Sequence, residues 1–456
     1  MSSNYEPLAP YPPGTSPLRG AMKDTFAYST VKERLPVILT KCVDTLSREL
    51  HARTLAAPSS PADAEKAAEA KHIIAEISKL VYELQRDRPL QPLTDTEEDV
   101  GVWNATLASL AAKGPATWYQ LPWLFIECYL YRKIHELFIL TVHWKEYDIF
   151  ATQQKETSFS GSVKSMEELA KHLRDVQTRT LNDDEQKTVL REFVHFCLWG
   201  NQTDLSLLQD VAHADMHKMQ QTSAAGLKQL EEKVIVNDTQ ALLQEIEGIT
   251  AGRVDIIMDN AGFELYSDLI LADWLVHAGV AKLVVFHAKR IGWFVSDTTS
   301  RDFHWTLDAI QKHAKAIGDD NLDSRIERWR GLLAAGTWRL QVDPFWTLPY
   351  PFWQIPTAGA ELYADICKSQ LLIFKGDLNY RKCVYDLDWK TTTSVEDALG
   401  GLCDARTPPL VMLRTCKSDP AVGLRAGQAE ELDRADPKWR VNGKWGMIQF
   451  RPRTQT

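Results

Sequence analysis

The first half of the chain has its apolar residues at helical spacing. Leu39, Val43, Leu46 and Leu50 follow one another at intervals of four, three and four positions, so they lie on one face of a helix that Pro36 can begin. Further helices are predicted over residues 61–86, 123–140, 184–198 and 226–247. The helix over 123–140 is apolar on most sides, which predicts a central position for it in this region.

The pattern changes after Gly248 to short apolar runs that are separated by helical stretches. The predicted strands are residues 254–258, 283–286, 338–342, 371–374 and 410–413, with a further candidate at 446–450. Continuous apolar strands that alternate with helices indicate a parallel sheet covered on both faces. Residues 263–278 are predicted to form the first connecting helix, and Gly279 is placed to cap its C-terminus.

The two patterns divide the chain into an N-terminal arm and two larger regions. Residues 1–22 are rich in Pro, Ser and Gly, which predicts a mobile arm or a strap along the surface. We expect an all-helical domain over 23–247 and an α/β catalytic domain over 248–456. The predicted fold class is therefore α/β, with a helical domain beside a mainly parallel sheet.

Composition restricts the partners of the protein. With 456 residues, 44% of them hydrophobic, the chain can bury large cores, and a net charge of −9 does not suit a nucleic-acid-binding surface. The first residues lack the basic and apolar segments of a signal peptide, and no apolar run reaches about 18 residues, the length of a membrane span. We expect an intracellular protein, cytoplasmic with the nucleus as the alternative, without nucleic-acid or membrane partners. The sequence leaves the oligomeric state open.

Polar side chains follow the predicted strands at their carboxyl ends, where ligands bind in open α/β sheets. Asp259 and Asn260 follow the first strand directly, and Lys289 comes shortly after the second. Asp297 follows another short apolar run, at 291–295. Two later strands are followed by the polar segments 375–381 and 414–417. The sequence therefore predicts one polar site at this edge of the sheet.

These residue types suit the handling of a phosphate group. The oxygens of Asp and Asn are hard ligands that select Mg²⁺ or Mn²⁺, and Lys and Arg neutralise phosphate oxygens. Each position also has a simpler structural interpretation. Asp259 could cap a helix, and Asp297 could lie in a turn. Residues 375–377 fit ordinary turn chemistry, and Arg414 and Lys417 could be solvated surface charges.

Other catalytic signatures are absent from the sequence. It contains no GxGxxG, Walker loop, GxSxG or HExxH motif, so dinucleotide-binding, P-loop and serine-hydrolase functions lose their main support. His213 and His217 stand four positions apart on a predicted helix and could bind a metal ion. Because two ligands are few, an exposed polar helix face is the simpler interpretation of this pair.

Four polar motifs occur in order along the second half of the chain. They are residues 259–265 (DNAGFEL), 294–299 (FVSDTT), 375–382 (KGDLNYRK) and 414–417 (RTCK), and the helical half adds 26–32 (FAYSTVK) and 198–201 (LWGN). Together they resemble the metal-dependent damage-control phosphatase family, in the subfamily with an Arg-Thr-x-Lys motif. Members of this subfamily have also been described as protein-glutamate (acidic residue) methyltransferases. The resemblance covers nearly the whole chain.

The resemblance implies a helical N-terminal domain packed on an α/β/α sandwich, and phosphatase activity on small phosphometabolites such as fructose 1-phosphate and fructose 6-phosphate. It implies a divalent metal ion, Mn²⁺, Co²⁺, Ni²⁺ or Mg²⁺, held by Asp259, Asn260 and Asp297, which with Lys417 would be the catalytic residues. The substrate contacts that it implies are Glu264, Asp377, Leu378, Asn379, Tyr380, Arg381, Arg414 and Lys417. Glu264 also matches a position associated with the proposed methyl-donor site. Residues 383–385 (CVY) depart from the family pattern, which affects the shape of that loop.

Three functions are compatible with these residues. The first is metal-dependent hydrolysis of a phosphate ester, with either Asp259 or a water molecule as the nucleophile. The second is S-adenosylmethionine-dependent methylation of protein carboxylates, which lacks support from a glycine-rich methyl-donor loop in the sequence. The third is binding of a phosphosugar without catalysis. The sequence ranks the phosphatase first because a metal ion beside cations is not needed for methyl transfer.

Overall fold

Most of the described residues that precede the sheet are helical. The structure is a computed structural model that describes residues 5–56, 60–151, 153–200 and 227–453; His213, His217 and the end of the 198–201 motif lie outside the described residues. The helices are α1 (Phe26–Ser29), α2 (Leu35–Ala56), α3 (Pro61–Gln85), α4 (Val100–Ala111), α5 (Trp123–Ile139), α6 (Gln153–Gln177) and α7 (Asp183–Trp199). A π-helical turn, Thr30–Arg34, joins α1 to α2. The helices predicted over 61–86, 123–140 and 184–198 are confirmed to within one residue at each end.

The described residues contain a seven-stranded sheet. Its strands are β1 (Val234–Asn237), β2 (Gly252–Ile257), β3 (Ala281–Ala288), β4 (Trp338–Val342), β5 (Leu371–Lys375), β6 (Leu410–Thr415) and β7 (Gly446–Arg451), in the spatial order β1-β7-β6-β5-β2-β3-β4. All neighbouring pairs are parallel except β6 and β7. The α/β class and the mainly parallel sheet are confirmed.

The remaining helices lie between and after the strands. They are α8 (Thr239–Glu247), α9 (Phe263–His277), α10 (Ser300–Ile317), α11 (Asp320–Ala334), α12 (Ile355–Ala358), α13 (Ala360–Ile366), α14 (Gly376–Val384), α15 (Val395–Leu399) and α16 (Gln428–Ala435). Gly279 adopts a φ of 73° directly after the last turn of α9, as its predicted capping role requires.

The helix predicted over 226–247 is interrupted in its middle. Residues 227–231 are helical, but residues 234–237 form β1, and Thr239–Glu247 form a separate helix after it. Three consecutive β-branched residues, Val234, Ile235 and Val236, favour a strand, and the pairing of β1 with β7 satisfies the backbone groups that face β7. The sheet therefore begins ahead of the domain boundary that the sequence predicts at residue 248.

Alternating residues of β5 belong to two separate hydrophobic cores. Leu372 and Phe374 pack in a core with residues of α2 to α5, and Leu371 and Ile373 pack in a core with residues of α6, α7 and α9. Side chains of a strand alternate between the faces of a sheet, so helices cover both faces. The sheet is the middle layer of the molecule, as its continuous apolar strands predicted.

Residues 5–22 form a packed strap rather than a mobile arm. Leu8 and Leu18 are buried, and short β-bridges join Pro17 to Leu387 and Arg19 to Pro122. The strap therefore connects the start of α5 with the segment that follows α14. The described helices include none that is both long and apolar enough to cross a membrane.

Candidate active site

Asp259 and Asn260 lie directly beyond the carboxyl end of β2. Asp259 is 5% exposed and Asn260 is half-buried. Gly262 follows with a φ of 81°, which a residue with a side chain rarely adopts, and α9 begins at the next residue. This turn keeps both side chains at the carboxyl edge of the sheet, where a ligand of an α/β protein binds.

Asp297 reaches the same place on an irregular loop. The apolar run 291–295 that precedes it is not a strand, which corrects the expectation that every site residue follows one. The loop pairs with the segment after β2: the Thr298 N–H donates to the Asp259 carbonyl oxygen at 2.7 Å, and the Ala261 N–H donates to the Ser296 carbonyl oxygen at 2.9 Å. A β-bridge between Asn260 and Asp297 completes this pairing.

Two lysines offset the charge of the carboxylates. Nζ of the buried Lys289 lies 3.4 Å from Asp297 Oδ2 and also donates to the carbonyl oxygen that follows β2, at 2.8 Å. Burial raises the pKa of Asp259 well above its usual range, and the charges of Glu264 and Asp297 raise this pKa further. Lys289 and Lys417 lower the same pKa. The positive charges of Lys289 and Lys417 thus stabilise the Asp259 carboxylate, which burial destabilises.

The Asn260 amide links three neighbouring side chains. Its Nδ2 donates to Asp259 Oδ2 at 2.7 Å and to Glu264 Oε2 at 2.9 Å, and the Ser296 hydroxyl donates to its Oδ1. The positive end of the amide therefore lies between two carboxylates. A half-turn of the amide, a rotation by about 180°, would exchange its nitrogen and oxygen and place Oδ1 where Nδ2 now lies.

These oxygen atoms fit a divalent metal ion. Asp259 and Asp297 are buried carboxylates that repel each other, which a cation between them would relieve. In the part of the chain that the structure describes, no group of three or more His, Cys, Asp and Glu side chains is arranged to hold a metal. An ion at this place would have the Asp259 and Asp297 carboxylates and, after the half-turn of its amide, Asn260 as protein ligands, and it would keep positions for water and phosphate.

The first residue of α14 lies in close contact with the Asp259 carboxylate. Gly376 has a φ of 81°, and a Cβ atom at this position would come within 1.8 Å of Asp259 Oδ2. Only glycine leaves this space to the carboxylate. The segment 375–382 is thus part of the site through its backbone as well as through its side chains.

Asp377 holds the segment 414–417 in place. Its Oδ1 accepts from Arg414 Nε at 2.7 Å, from the Lys417 N–H at 3.2 Å and from the Ser418 hydroxyl at 3.1 Å. Arg414 is 1% exposed, and its other nitrogens bind the carbonyl oxygens of Ser418 and Pro420. Lys417 is half-buried, so of these two cations it is the one with access to solvent.

Arg381 is buried between acidic and aromatic groups. Its Nε donates to Asp386 Oδ1 at 3.0 Å and its guanidinium donates to Glu127 Oε2 at 2.6 Å. The guanidinium carbon lies 4.0 Å from the centre of the Trp123 ring. Two of the partners of this predicted substrate residue, Glu127 and Trp123, therefore come from the helical half of the chain.

The other residues of this segment are also buried. Leu378 belongs to the core with α2 to α5, and the Tyr380 hydroxyl accepts from the Val422 N–H at 3.1 Å. Asn379 Nδ2 donates to the carbonyl oxygens of Ile257 and Met258, at 3.2 and 3.1 Å, and its Oδ1 accepts from a site lysine. Asn379 therefore ties α14 to the end of β2.

A buried network that the sequence did not indicate supports Glu264. Lys375 Nζ lies 2.8 Å from Asp268 Oδ1 and 3.5 Å from Glu264 Oε1, and it donates to the Cys197 carbonyl oxygen near the end of α7. Burial raises the pKa of Asp268 to about 6, although Lys375 opposes this. The signal in the sequence is the spacing of Glu264 and Asp268, four apart on one helix face.

Comparison with known proteins identifies relatives along most of the chain. A family model, the damage-control phosphatase ARMT1-like domain, matches residues 30–432. Damage-control phosphatase ARMT1 of Danio rerio is 38% identical over 450 residues, covering 95% of this chain and 96% of the relative. The protein of the same name from Homo sapiens is 37% identical over 450 residues, covering 95% of this chain and 98% of the relative.

A solved structure also aligns with the chain. It is a crystal structure of a DUF89 family protein from Pyrococcus horikoshii, at a TM-score of 0.41 and 13% identity, covering 91% of this chain and 96% of that chain. The candidate ligands Asp259, Asn260 and Asp297, together with Lys417, lie inside the residues that the family model matches. Because the family model matches residues 30–432 and relatives 37% to 38% identical cover 95% of the chain, the chain belongs to the family of the damage-control phosphatase ARMT1-like domain.

Proposed function

We propose that the protein is a divalent-metal-dependent phosphatase that hydrolyses phosphate esters of small metabolites, with sugar phosphates such as fructose 1-phosphate and fructose 6-phosphate as substrates. The observation that carries this proposal is the convergence of Asp259, Asn260 and Asp297 at one edge of the sheet, with Lys289 and Lys417 nearby. Membership of a phosphatase family supports the reaction type. The choice of sugar phosphates rests on the resemblance of the site motifs.

Asp259, Asn260 and Asp297 would hold the ion, for which Mn²⁺, Co²⁺, Ni²⁺ and Mg²⁺ are the candidates. When bound, such an ion offsets the charge on the transferring phosphoryl group. Lys289 keeps Asp297 oriented through their 3.4 Å ion pair. Lys417 would bind the phosphate oxygens from the solvent side, because it is half-buried and acts electrostatically on Asp259.

Asp259 has two chemically complete roles in this reaction. As a nucleophile, its carboxylate would attack phosphorus and release the sugar alcohol, and water would then hydrolyse the acyl phosphate. As a base, it would take a proton from a water molecule that attacks phosphorus directly. In both cases the phosphoester bond breaks and the leaving oxygen gains a proton, from solvent when Asp259 is the nucleophile and from the protonated Asp259 or solvent when it is the base.

The residues proposed to contact or shape the substrate site are Glu264, Asp377, Leu378, Asn379, Tyr380, Arg381, Arg414 and Lys417. Asp377 and Lys417 are partly exposed and can contact the substrate directly. The others are buried, and they support the site through the contacts of Asp377, Asn379 and Glu264 described above.

The test is phosphate release from fructose 1-phosphate by the purified protein in the presence of Mn²⁺ or Co²⁺. Asp259→Ala is the matched inactive control, and a chelator should stop the reaction. No release above the Asp259→Ala background across a panel of sugar phosphates would refute the proposal. Tight binding of a sugar phosphate without turnover would instead identify a binding protein.

A further inference from the structure

A cavity of about 470 Å³ lies between the N-terminal helices and the loop that carries Asp297. One wall comes from α1, the π-helical turn and the start of α2, and the other comes from residues 294–296. Small-molecule sites have volumes of about 300 to 1,000 Å³, so the cavity is large enough for a metabolite. Ser296 lines it and also donates its hydroxyl to Asn260, so the cavity adjoins the candidate metal site.

Aromatic rings connect the cavity to the surroundings of Arg381. Phe26 lines one wall and packs edge-on against Trp123, with the ring centres 6.1 Å apart. Phe294 lines the opposite wall and stacks on Tyr131 at 4.8 Å. The Arg381 guanidinium lies 4.0 Å from the Trp123 ring centre and 5.9 Å from that of Phe294. The cavity therefore lies next to the candidate metal ligands, through Ser296, and next to Arg381, through Trp123 and Phe294.

A buried hydroxyl in the cavity wall has no hydrogen bond. Thr30, in the π-helical turn, is 0% exposed, and its Oγ1 finds no hydrogen-bond partner among the described residues. Leaving a buried hydroxyl without a partner destabilises a folded protein, so such a group calls for an explanation. Glu33 and Arg34, one turn further, line the same cavity and are exposed.

The opposite wall contains strained backbone. Phe294 and Val295 have φ values of 43° and 72°, in the left-handed region that a β-branched residue such as Val295 rarely enters. Strain of this kind is concentrated at ligand-binding sites, where the surrounding structure maintains it. π-helical turns are also frequent at functional sites. Two unusual backbone segments thus face each other across one cavity.

We propose that this cavity is the subsite for the polyhydroxylated part of a sugar phosphate, a proposal that rests on the phosphatase function proposed above. The rings of Phe26 and Phe294 offer apolar faces to the C–H groups of a sugar. The Thr30 hydroxyl, Glu33 and Arg34 offer donors and acceptors to its hydroxyl groups. The phosphate group would lie beyond Ser296, at the metal site.

The experiment compares two substrates, a hexose phosphate and phenyl phosphate, which has no hydroxyl groups for the subsite. Thr30→Val removes the hydroxyl at nearly constant volume, Thr30→Ser retains it, and Thr40→Val is a matched control on α2, where the Thr40 hydroxyl donates to the Pro36 carbonyl oxygen. We expect Thr30→Val to raise KM for the hexose phosphate about threefold to tenfold, the effect of one hydrogen bond. Its kinetics with phenyl phosphate should equal those of the wild type.

The remaining outcomes decide between the two proposals. Near-normal KM for Thr30→Ser and Thr40→Val with the hexose phosphate would support the subsite. An equal effect of Thr30→Val on both substrates, or an effect on neither, would overturn the subsite while the phosphatase function stands. A wild-type protein that hydrolyses neither substrate in the presence of Mn²⁺ would remove the phosphatase function, and the subsite with it.

Discussion

Gly376 determines whether the Asp259 carboxylate can occupy its position. A side chain at residue 376 would need the unfavourable left-handed backbone and would meet Asp259 Oδ2 at 1.8 Å. The backbone effect and the steric effect can be separated, because Gly427 has nearly the same φ, 80°, and a Cβ atom added there would have no other atom within 4 Å. The two glycines form a natural pair for comparison.

We predict that Gly376→Ala lowers phosphatase turnover about a hundredfold, since a displacement of about 1 Å in a catalytic group has an effect of this size. Gly427→Ala should cost about 1 to 2 kcal/mol of unfolding free energy, the backbone effect alone, and leave turnover unchanged. Steady-state kinetics and thermal unfolding of both variants provide the measurement. Equal turnover of the two variants would contradict the steric explanation.

Lys382 is a buried cation with a strongly perturbed pKa. Its pKa is lowered from 10.5 to about 8, chiefly by burial and also by the charge of Lys289, while Cys128 opposes the shift. Its Nζ donates to the Leu348 carbonyl oxygen at 2.7 Å. Below pH 8 Lys382 is charged in the folded protein, so the burial of this charge lowers the free energy of unfolding by its full amount. Between pH 8 and pH 10.5 the unfolded chain binds more protons than the folded protein, so the lysine's contribution to stability increases with pH.

We predict that the stability advantage of Lys382→Met over the wild type decreases as pH rises from 8 to 10.5. The decrease should reach about 3.5 kcal/mol at most, because one pKa unit corresponds to about 1.4 kcal/mol. Denaturant unfolding of both proteins at several pH values measures the difference, in which the other titrating groups cancel. A difference that is constant with pH would show that Lys382 titrates normally in the folded protein.

The sequence predicted the site residues that come directly after a strand. Asp259 and Asn260 come directly after the mostly apolar run 254–258, and their side chains do lie at the carboxyl edge of the sheet. The burial of Arg381 was not predictable in the same way. Its partner Glu127 lies 254 positions away in the sequence, on a helix whose apolar pattern gives no indication of a buried ion pair. Such pairings depend on tertiary packing.

At the scale of elements, the strap of residues 5–22 connects the two groups that surround Arg381. The Leu18 N–H donates to the Asp386 carbonyl oxygen, and the Leu18 carbonyl oxygen accepts from the Trp123 N–H, both at 2.8 Å. Asp386 pairs with Arg381, and Trp123 packs on its guanidinium. The backbone of one strap residue thus joins both sides of the arginine.

We predict that Leu18→Pro, which removes the donor N–H, lowers kcat/KM for a hexose phosphate several-fold through the displacement of Arg381. It should also lower the free energy of unfolding by about 1 to 3 kcal/mol, since a buried carbonyl oxygen loses its partner. Ser16→Ala is the control, because it removes only an exposed hydroxyl that donates to Asp388. A Leu18→Pro variant with normal kinetics would show that the strap does not influence the active site.

The elements that sequence patterns misplace are short or irregular. Residues 234–237 were assigned to a helix because the helical pattern around them is strong, but β1 is four residues long and is stabilised by pairing with β7, more than 200 positions away. The run 291–295 is apolar like a strand, but it packs as a loop against Tyr131 and its neighbours. The predicted helices over 61–86, 123–140 and 184–198 were located within one residue at each end, whereas α6, α10 and α11 were not predicted.

At the scale of the whole molecule, an ion at Asp259 and Asp297 would join the end of β2 to the loop between β3 and α10. An ion that binds only the folded protein stabilises it by about 2.7 kcal/mol at a concentration one hundred times its Kd. Stability is therefore a measure of metal binding that does not depend on catalysis.

We predict that Mn²⁺ raises the midpoint of thermal unfolding of the wild type and that a chelator reverses the rise. Asp297→Asn should remove most of the rise because it deletes one of two carboxylate ligands. Asp308→Asn is the matched control, since Asp308 is an exposed partner of Arg330 outside the site. An undiminished Mn²⁺ effect in Asp297→Asn would place the ion elsewhere.

The position of β7 in the sheet affects how the polypeptide is made. β7 is the last strand in sequence, yet it lies between β1 and β6, and within the described residues β1 pairs with no other strand. Of the described strands, six are synthesised before β7, so β6 has an open edge and β1 has no strand partner until β7 is added. Open strand edges template aggregation. We therefore expect the nascent chain to be most prone to aggregation before β7 pairs with β1 and β6.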